Sequence, residues 1–442
     1  MPGQEYYEPW DPKTIYVIGH QRPDMDAIGA AIGKAWLMSR TGSDHVVAAR
    51  AGQVGSQARF ALEKFAVPSP RLIANVSPTF SHVARKQESV EPGAPFANAL
   101  QLLARGERIV PVVKKDGTLL GGLGSLALAR AYSNLAEHHE DVGPAVCENL
   151  VENLPTYQAA DHLVDHRNAL LRTEGDDFLI VNSAGKYFGT VTRRQVLSPP
   201  RARLVLVDHN EISQAVSGAD EAEIISVIDH HRLGNAMTAT PIPFIVEPVG
   251  STCTLIAESC LWTPHPVPYN IAGVMLSGIL SDTLIFKSPT TTERDLAAAS
   301  WLAETAGIDM LKYGRELIES SPGLSDRTAA DILDADRKNY DMAGRSVSIA
   351  QIEITDLNEI PNRRDDLLHA LRERLEREQL ALICLMVTDV ITLKSHLLCQ
   401  ADNNILGQLP FPRVAEKEYE LGGMVSRKKQ LVPALQSVLE EI

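Results

Sequence analysis

Thr14-Ile-Tyr-Val-Ile18-Gly-His20-Gln-Arg-Pro-Asp24-Met-Asp26 is the stretch that decides how this chain folds. Residues 14–18 are apolar and largely β-branched, as in a buried strand, and residues 27–38 carry small and apolar side chains at helical spacing. Between them one short loop gathers His20, Asp24 and Asp26, all of them side chains that ligate metals. Strand, loop and helix in this order open a doubly wound parallel sheet, whose ligand sites lie at the carboxyl ends of the strands.

The same pattern recurs along the chain. Residues 46–49 read as the next strand, 56–65 as a helix and 71–76 as a further crossover. Asp208-His209-Asn210 follows the apolar run 204–207, Asp229-His230-His231 follows 224–228, and Ser281-Asp282 follows, less cleanly, 274–280. Each is expected to emerge from the end of a buried strand. Alone, Asp208-His209-Asn210 could be an ordinary turn. Together the motifs offer His20, Asp24, Asp26, Asp208, His230 and Asp282 as ligands for two divalent cations in a phosphoryl-transfer site.

Charge arithmetic supports that grouping. Two dications about 3.5 Å apart repel by roughly 20 kcal/mol even at an effective dielectric of about 20, so carboxylates must lie beside and between them. Four aspartates against two dications leave the site formally neutral, and a polyanionic substrate then needs cations from elsewhere. Ser426-Arg427-Lys428-Lys429-Gln430 and Lys338 provide them, Arg427 as a bidentate fork and Lys428 as a point charge.

Composition narrows the function. The chain has 442 residues and a net charge of −14, which argues against general nucleic-acid binding. Its five cysteines show no CxxC spacing, so neither a zinc knuckle nor a disulfide framework is expected. With no signal-like N-terminus and no apolar run of membrane-spanning length, a soluble cytoplasmic protein is expected.

An internal repeat separates Asp26 from Asp208. Val113-Lys-Lys-Asp-Gly117-Thr-Leu-Leu-Gly121 matches Val181-Asn-Ser-Ala-Gly185-Lys-Tyr-Phe-Gly189, each a strand, a glycine turn and a strand preceded by a helical segment (96–105 and 160–171). This reads as a small pseudo-symmetric domain inserted into a host loop. Beyond Asp282 come a helix at 293–306, a turn-rich linker at 320–325, and a second α/β domain. Its strands are expected at 347–354, 380–387 and 391–398, with a charged, solvated helix at 364–378.

The motif series resembles the DHH phosphoesterase superfamily, and within it the family II inorganic pyrophosphatases whose catalytic domain carries an inserted pair of CBS modules. The likeness spans nearly the whole chain; Ser281-Asp282-Thr283, Lys287-Ser-Pro-Thr-Thr-Thr and the Ser426 to Gln430 run are its most specific parts. It implies an α/β fold: a DHH domain with a mainly parallel sheet at 1–75 and 202–318, an α+β CBS pair at 76–201, a linker at 319–325 and an α/β DHHA2 substrate-binding domain at 326–442.

The resemblance also implies roles. His20, Asp24, Asp208 and Asp282 would surround one metal and Asp26, Asp208, His230 and Asp282 the other, with Asp208 and Asp282 bridging. His231 would donate a hydrogen bond or proton to substrate, and Lys338, Arg427 and Lys428 would hold phosphates. Mn2+ or Co2+, two per site, with Mg2+ arriving on the substrate, would support hydrolysis of pyrophosphate to two phosphates by a metal-bridged hydroxide. Residues from two domains must meet, so an open-to-closed motion about the linker is expected.

For the insert the resemblance implies control by AMP, ADP or ATP, with Thr192 and Arg193 reaching phosphate. Gln195 and Ala127 stand where CBS modules often carry the acidic residue that holds ribose. A homodimer is implied as well. Two other readings remain open at this point: a DHH phosphodiesterase or short-chain polyphosphatase, and a catalytically dead nucleotide sensor.

Overall fold

The computed structural model describes residues 10–441 except 44, 139–145, 174, 235–237, 239, 322, 326, 355 and 391. Its first sheet has six strands, all parallel: β1 (Ile15–Ile18), β2 (Val46–Arg50), β3 (Arg71–Leu72), β4 (Arg203–Val207), β5 (Glu223–Asp229) and β6 (Phe244–Val246). They lie in the order β6-β5-β4-β1-β2-β3. The winding direction reverses between β1 and β4, and the loops leaving two such strands diverge to opposite faces and open a crevice. His20 follows β1 and Asp208 follows β4, so the sequence has placed its ligand loops at that crevice.

Both faces of this sheet are covered, which is why its strands are apolar without alternation. Val17, Val205 and Val207 enter the core built with α1 (Met25–Arg40), α2 (Ser56–Lys64), α3 (Thr252–Leu261), α4 (Tyr269–Asp282), α5 (Glu293–Ala306) and α6 (Met310–Glu319). Tyr16, Ile18, Leu204 and Leu206 point the other way, into a core with Trp10, Ile73 and Val216.

One expected strand is a helix. The run 274–280 lies inside α4, and Asp282 is that helix's last residue rather than the end of a strand. The run is buried on every side, so it lacks the polar stripe that reveals a helix, and a short apolar run alone does not separate the two states. Helix α4 packs so closely on its neighbours that a Cβ on Gly278 would lie 2.6 Å from Cys253 Sγ and 2.9 Å from Asp26 Oδ1.

The repeat holds down to register. In the hairpin of Val110–Val113 with Leu119–Leu123, Val112 faces Gly121 and the register then shifts; in that of Asp177–Val181 with Tyr187–Thr192, Ile180 faces Gly189 and the register shifts at the equivalent place. Gly117 and Gly185 have φ of 87° and 70°, the left-handed region their turns require. The tips meet through Lys186 Nζ, which donates to Asp116 Oδ2 (2.9 Å) and Thr118 Oγ1 (3.0 Å).

The second large sheet comprises β7 (Arg337–Met342), β8 (Arg345–Ile354), β9 (Leu382–Asp389), β10 (Lys394–Ala401), β11 (Arg413–Ala415) and β12 (Glu418–Glu420), in the order β7-β8-β9-β10-β12-β11. Only β8 and β9 pair in parallel. Before it lies α7 (Ala329–Ala335), and α8 (Ile360–Arg377) turns Leu367 and Leu371 into its core while Arg372 and Glu376 pair on the exposed side. The expected linker includes residue 322, which lies outside the described residues.

Two contacts show the two sheet units drawn together. Arg22 Nη1, in the first ligand loop, donates to Asp334 O (3.2 Å), and Lys287 Nζ donates to Val390 O (3.3 Å). Among the described residues no helix is long and apolar enough to cross a membrane.

Replacing Gly278 with alanine forces a methyl group against Cys253 and Asp26. The expected cost is about 1–3 kcal/mol in urea unfolding, as for other overpacked cores.

Candidate metal centre

The ligand loops converge at the reversal point. Asp24 is the N-cap of α1, where its side chain accepts from Ala27 N (2.9 Å), and Asp26 follows in the first turn, fully buried. Asp208 leaves β4 with φ of 63°, a left-handed conformation costly for a residue with a Cβ and concentrated at functional sites. His230 and His231 follow β5, and Asp282 closes α4.

Asp208 is the shared member. His20 Nε2 lies 3.4 Å from Asp208 Oδ2 and 3.5 Å from Asp24 Oδ2, and His230 Nε2 lies 3.4 Å from both Asp208 Oδ1 and Asp282 Oδ2. One ligand atom from each of Asp26, Asp208, His230 and Asp282 fits within 4.8 Å, as it does for His20, Asp24 and Asp208, and for Asp208, His230 and His231. Asp208 is common to all three groups, and Asp282 joins the one with Asp26 and His230.

The residues fit a pair of cations on their own chemistry. Asp208 Oδ2 and His230 Nε2 are buried without any hydrogen bond, although each has nitrogen or oxygen neighbours 3.4 Å away. Buried polar atoms in native proteins are nearly always satisfied, so buried groups that converge at 3.4 Å without a hydrogen bond point to a shared ligand. One imidazole with carboxylates in each cluster is a donor set suited to a first-row transition metal.

Charge crowding tells the same story. Burial, then the neighbouring Asp208 charge, pushes the Asp26 carboxyl up to about 6. Burial and the charges of Asp26, Asp24 and Asp208 hold Asp282 well above the usual range. Burial opposes ionisation of Asp208 and of both imidazoles, yet their mutual contacts win: Asp208 is held well below its usual value, His20 well above, and His230 is raised to about 10.

His231 is aimed by a chain of hydrogen bonds that the motif alone did not reveal. Its Nδ1 lies 2.9 Å from Asp229 Oδ1, which also accepts from His230 N (2.8 Å) and His231 N (3.1 Å). The other Asp229 oxygen accepts from Asn210 Nδ2 (2.5 Å), and Asn210 further binds Arg232 O and Gly234 N. Asn210 is therefore a brace for the Asp229 to Gly234 loop and not a mere turn residue.

The expected phosphate binders approach from the second sheet. Lys338 is exposed near the start of β7, and Lys428 is exposed in a π-helical turn, Arg427–Leu431. Burial and the nearby Arg232 and Lys338 charges lower the Lys428 ammonium, so Arg232, which sequence reasoning missed, belongs to the same cationic region. Arg427, expected as a bidentate fork for phosphate, is not displayed to solvent. It is buried, with Nη2 donating to Asp336 Oδ1 (2.9 Å) and Nη1 to the carbonyls of Asp336 and Ile349, while Nε has no hydrogen bond. Glu353, also unforeseen, is pushed up to about 7 by burial and by Asp336 and Asp24, which sets a carboxyl of β8 against the first ligand loop.

Thr192 and Arg193 lie in the insert. Thr192 caps the short helix Arg193–Leu197 through Gln195, and the Arg193 guanidinium binds the carbonyls of Leu171, Thr173 and Gly175 and pairs with Asp176 (3.1 Å).

A two-lobed α/β protein with an acidic and imidazole cluster at a sheet's reversal point and cations facing it from a second sheet is a metal-dependent phosphoryl-transfer enzyme in architecture. The DHH family, N-terminal domain, matches residues 14–279, and the DHHA2 domain matches 315–438. The manganese-dependent inorganic pyrophosphatase of Methanothrix thermoacetophila is 38% identical over 250 residues, covering 54% of this chain and 78% of that protein. A Streptococcus agalactiae protein assigned the same activity is 36% identical over 253 residues, covering 56% and 81%. The solved structure assigned to the family II inorganic pyrophosphatases of Methanococcus jannaschii matches with a TM-score of 0.58 at 25% identity, over 97% of this chain and 100% of that one. The chain belongs to the DHH family and, within it, to the manganese-dependent inorganic pyrophosphatases with a DHHA2 domain.

The charge crowding predicts how the metal-free protein responds to pH. Asp26, raised from 3.8 to about 6, and His230, raised from 6.5 to about 10, keep protons in the folded state that the unfolded chain has released. Their contribution to stability therefore falls as pH rises, across about 4–6 for Asp26 and about 6.5–10 for His230. His209, held down to about 4 by burial, works in the opposite sense below pH 6.5, so metal-free protein should melt at progressively lower temperature above that pH, and saturating Mn2+ should flatten the curve. A metal-free melting temperature that climbs between about pH 6.5 and 9 would contradict the crowding.

Proposed function

We propose that this site hydrolyses inorganic pyrophosphate to two phosphates with two divalent cations, one held by His20, Asp24 and Asp208 and the other by Asp26, Asp208, His230 and Asp282. The single observation that carries this is the position of Asp208, whose two oxygens face different imidazoles at 3.4 Å. When bound, the cations would acidify the attacking water and draw charge from the phosphoryl oxygens. Mn2+ or Co2+ suits the imidazole-containing clusters, and Mg2+ suits the oxygens of the incoming pyrophosphate.

The chain's own side chains supply the rest. Lys338 and Lys428 take phosphate oxygens by charge, and Arg427, buried against Asp336, adds its charge to the same lobe. Water oxygen bonds to one phosphorus as the bridging P–O bond breaks, and the departing phosphate needs a proton. His231 keeps its Nδ1 hydrogen in a hydrogen bond to Asp229, so the doubly protonated ring delivers that proton from Nε2 and is reloaded by the proton the attacking water loses. Docking of the second lobe, held by Arg22 and Lys287, excludes water around the reacting anion.

The division at residues 76–201 supports a second element. The 68-residue repeat with its shared register supports reading the insert as a CBS pair that binds AMP, ADP or ATP, with Thr192 and Arg193 near the phosphate. Nucleotide can change the rate only if it binds the open and closed lobes with different affinity. We take the protein to act as a cytoplasmic homodimer; its cysteines are all free and buried, as a reducing compartment allows.

Purified protein with Mn2+ should turn over pyrophosphate faster than tripolyphosphate or a dinucleotide; the reverse order would favour a polyphosphatase or phosphodiesterase. Replacing Lys428 with alanine should lower kcat/KM about 10- to 100-fold, the loss expected when a charge-assisted contact worth about 1.5–3 kcal/mol is removed. AMP or ADP should alter the rate, and deletion of residues 78–199 should abolish the response. A rate indifferent to millimolar nucleotide would contradict the regulatory reading.

A further inference from the structure

We propose that Ser251 and Thr252, at the start of α3, are positioning residues that hold the Asp26 and Asp208 carboxylates in place for metal. The inference rests on Asp26 and Asp208 being metal ligands. Nothing in the motif series draws attention to these residues, yet one turn of chain grips carboxylates belonging to both clusters.

Asp26 is held from three directions. Ser251 Oγ donates to Asp26 Oδ1 (2.6 Å), Cys253 N donates to the same oxygen (3.0 Å), and Thr252 N donates to Oδ2 (2.6 Å). Ser251 is also the N-cap of α3, and its hydroxyl oxygen accepts from Cys253 N (3.1 Å). A hydroxyl has one hydrogen. With its lone pair turned to Cys253, Ser251 has that hydrogen left for Asp26, so the cap and the carboxylate fix each other's orientation.

Thr252 extends the grip to the bridge. Its Oγ1 donates to Asp208 Oδ1 (3.1 Å), the oxygen that faces His230. Ser251, Thr252, Asp26 and Asp208 are all buried, so no water competes for these bonds. The turn is itself anchored from behind by Asp295, a fully buried carboxylate that accepts from Gly250 N (2.9 Å), Thr254 Oγ1 (2.6 Å) and Thr292 Oγ1 (2.7 Å). Asp295 thus ties the start of α3 to the start of α5, and α3 presents its donors to the metal carboxylates from a fixed platform. Groups that orient metal ligands typically change affinity 10- to 100-fold when removed, whereas an ordinary cap changes only stability.

Isothermal titration of the metal-free full-length protein with Mn2+, together with its melting temperature, separates these roles. Ser251→Ala and Thr252→Val should each weaken Mn2+ binding by about 10- to 100-fold. Thr252→Ser, which keeps the donor, should restore it. Thr254→Val, which cuts only the link to Asp295, should lower the melting temperature while leaving Mn2+ affinity closer to the parent than either of the first two. Unchanged affinity in Ser251→Ala and Thr252→Val, with a lowered melting temperature, would overturn the inference and leave a plain helix cap. Asp208→Asn distinguishes the underlying assumption: if it too retains Mn2+ affinity, the ligand assignment fails, and if it loses affinity while the clamp variants do not, only the positioning role fails.

Discussion

Four carboxylates share one cleft, and the rest of the molecule is arranged around that repulsion. Two like charges 4 Å apart oppose each other by about 4 kcal/mol at an effective dielectric of about 20, and burial adds the cost of lost hydration. The chain meets this with His20 and His230 set between the aspartates and with hydrogen bonds to Asp26. The upward push on the Asp26 and Asp282 carboxyls shows how far that relief falls short without cations. A site in which protons and divalent cations compete for the same oxygens has the metal as part of its folded energy as well as of its chemistry.

Topology explains why such a costly cluster can be assembled. Strands β1 and β4 are neighbours in space but 185 or more residues apart in the chain, and the direction of winding reverses between them. Their loops leave in opposite directions, and a crevice opens that neither helix layer fills. The insert occupies the crossover from β3 to β4, outside the sheet's hydrogen bonding, so a repeated domain can be carried there without disturbing the strand order. The second sheet then closes the crevice with positive charge. Burial, then Arg232 of the first lobe and Lys338 of the second, depress Lys428, and a polyphosphate anion is the chemistry that relieves both crowds at once.

Much of this was legible because each ligand type is rare in a buried strand loop. His20, Asp24 and Asp26 announce themselves in seven residues, and the glycine spacing of the repeat predicted two hairpins that turned out to share even their register shift. The strand at 274–280 was misread because a helix buried on all sides has no polar face, and periodicity carries no signal there. Arg427 was read as a displayed fork because sequence does not show Asp336, 91 residues away, folding back against it. Ser251 and Thr252 escaped notice for a related reason. Serine and threonine before a helix are the usual capping residues, and the partner that gives Ser251 its importance lies 225 residues earlier.

Whether Asp208 joins two cations in one site is read by counting metal on active protein. Protein loaded with Mn2+, freed of excess metal and assayed on pyrophosphate should contain two tightly bound Mn2+ per chain, with activity rising in step with occupancy of both. Full activity at one Mn2+ per chain, or none, would contradict it.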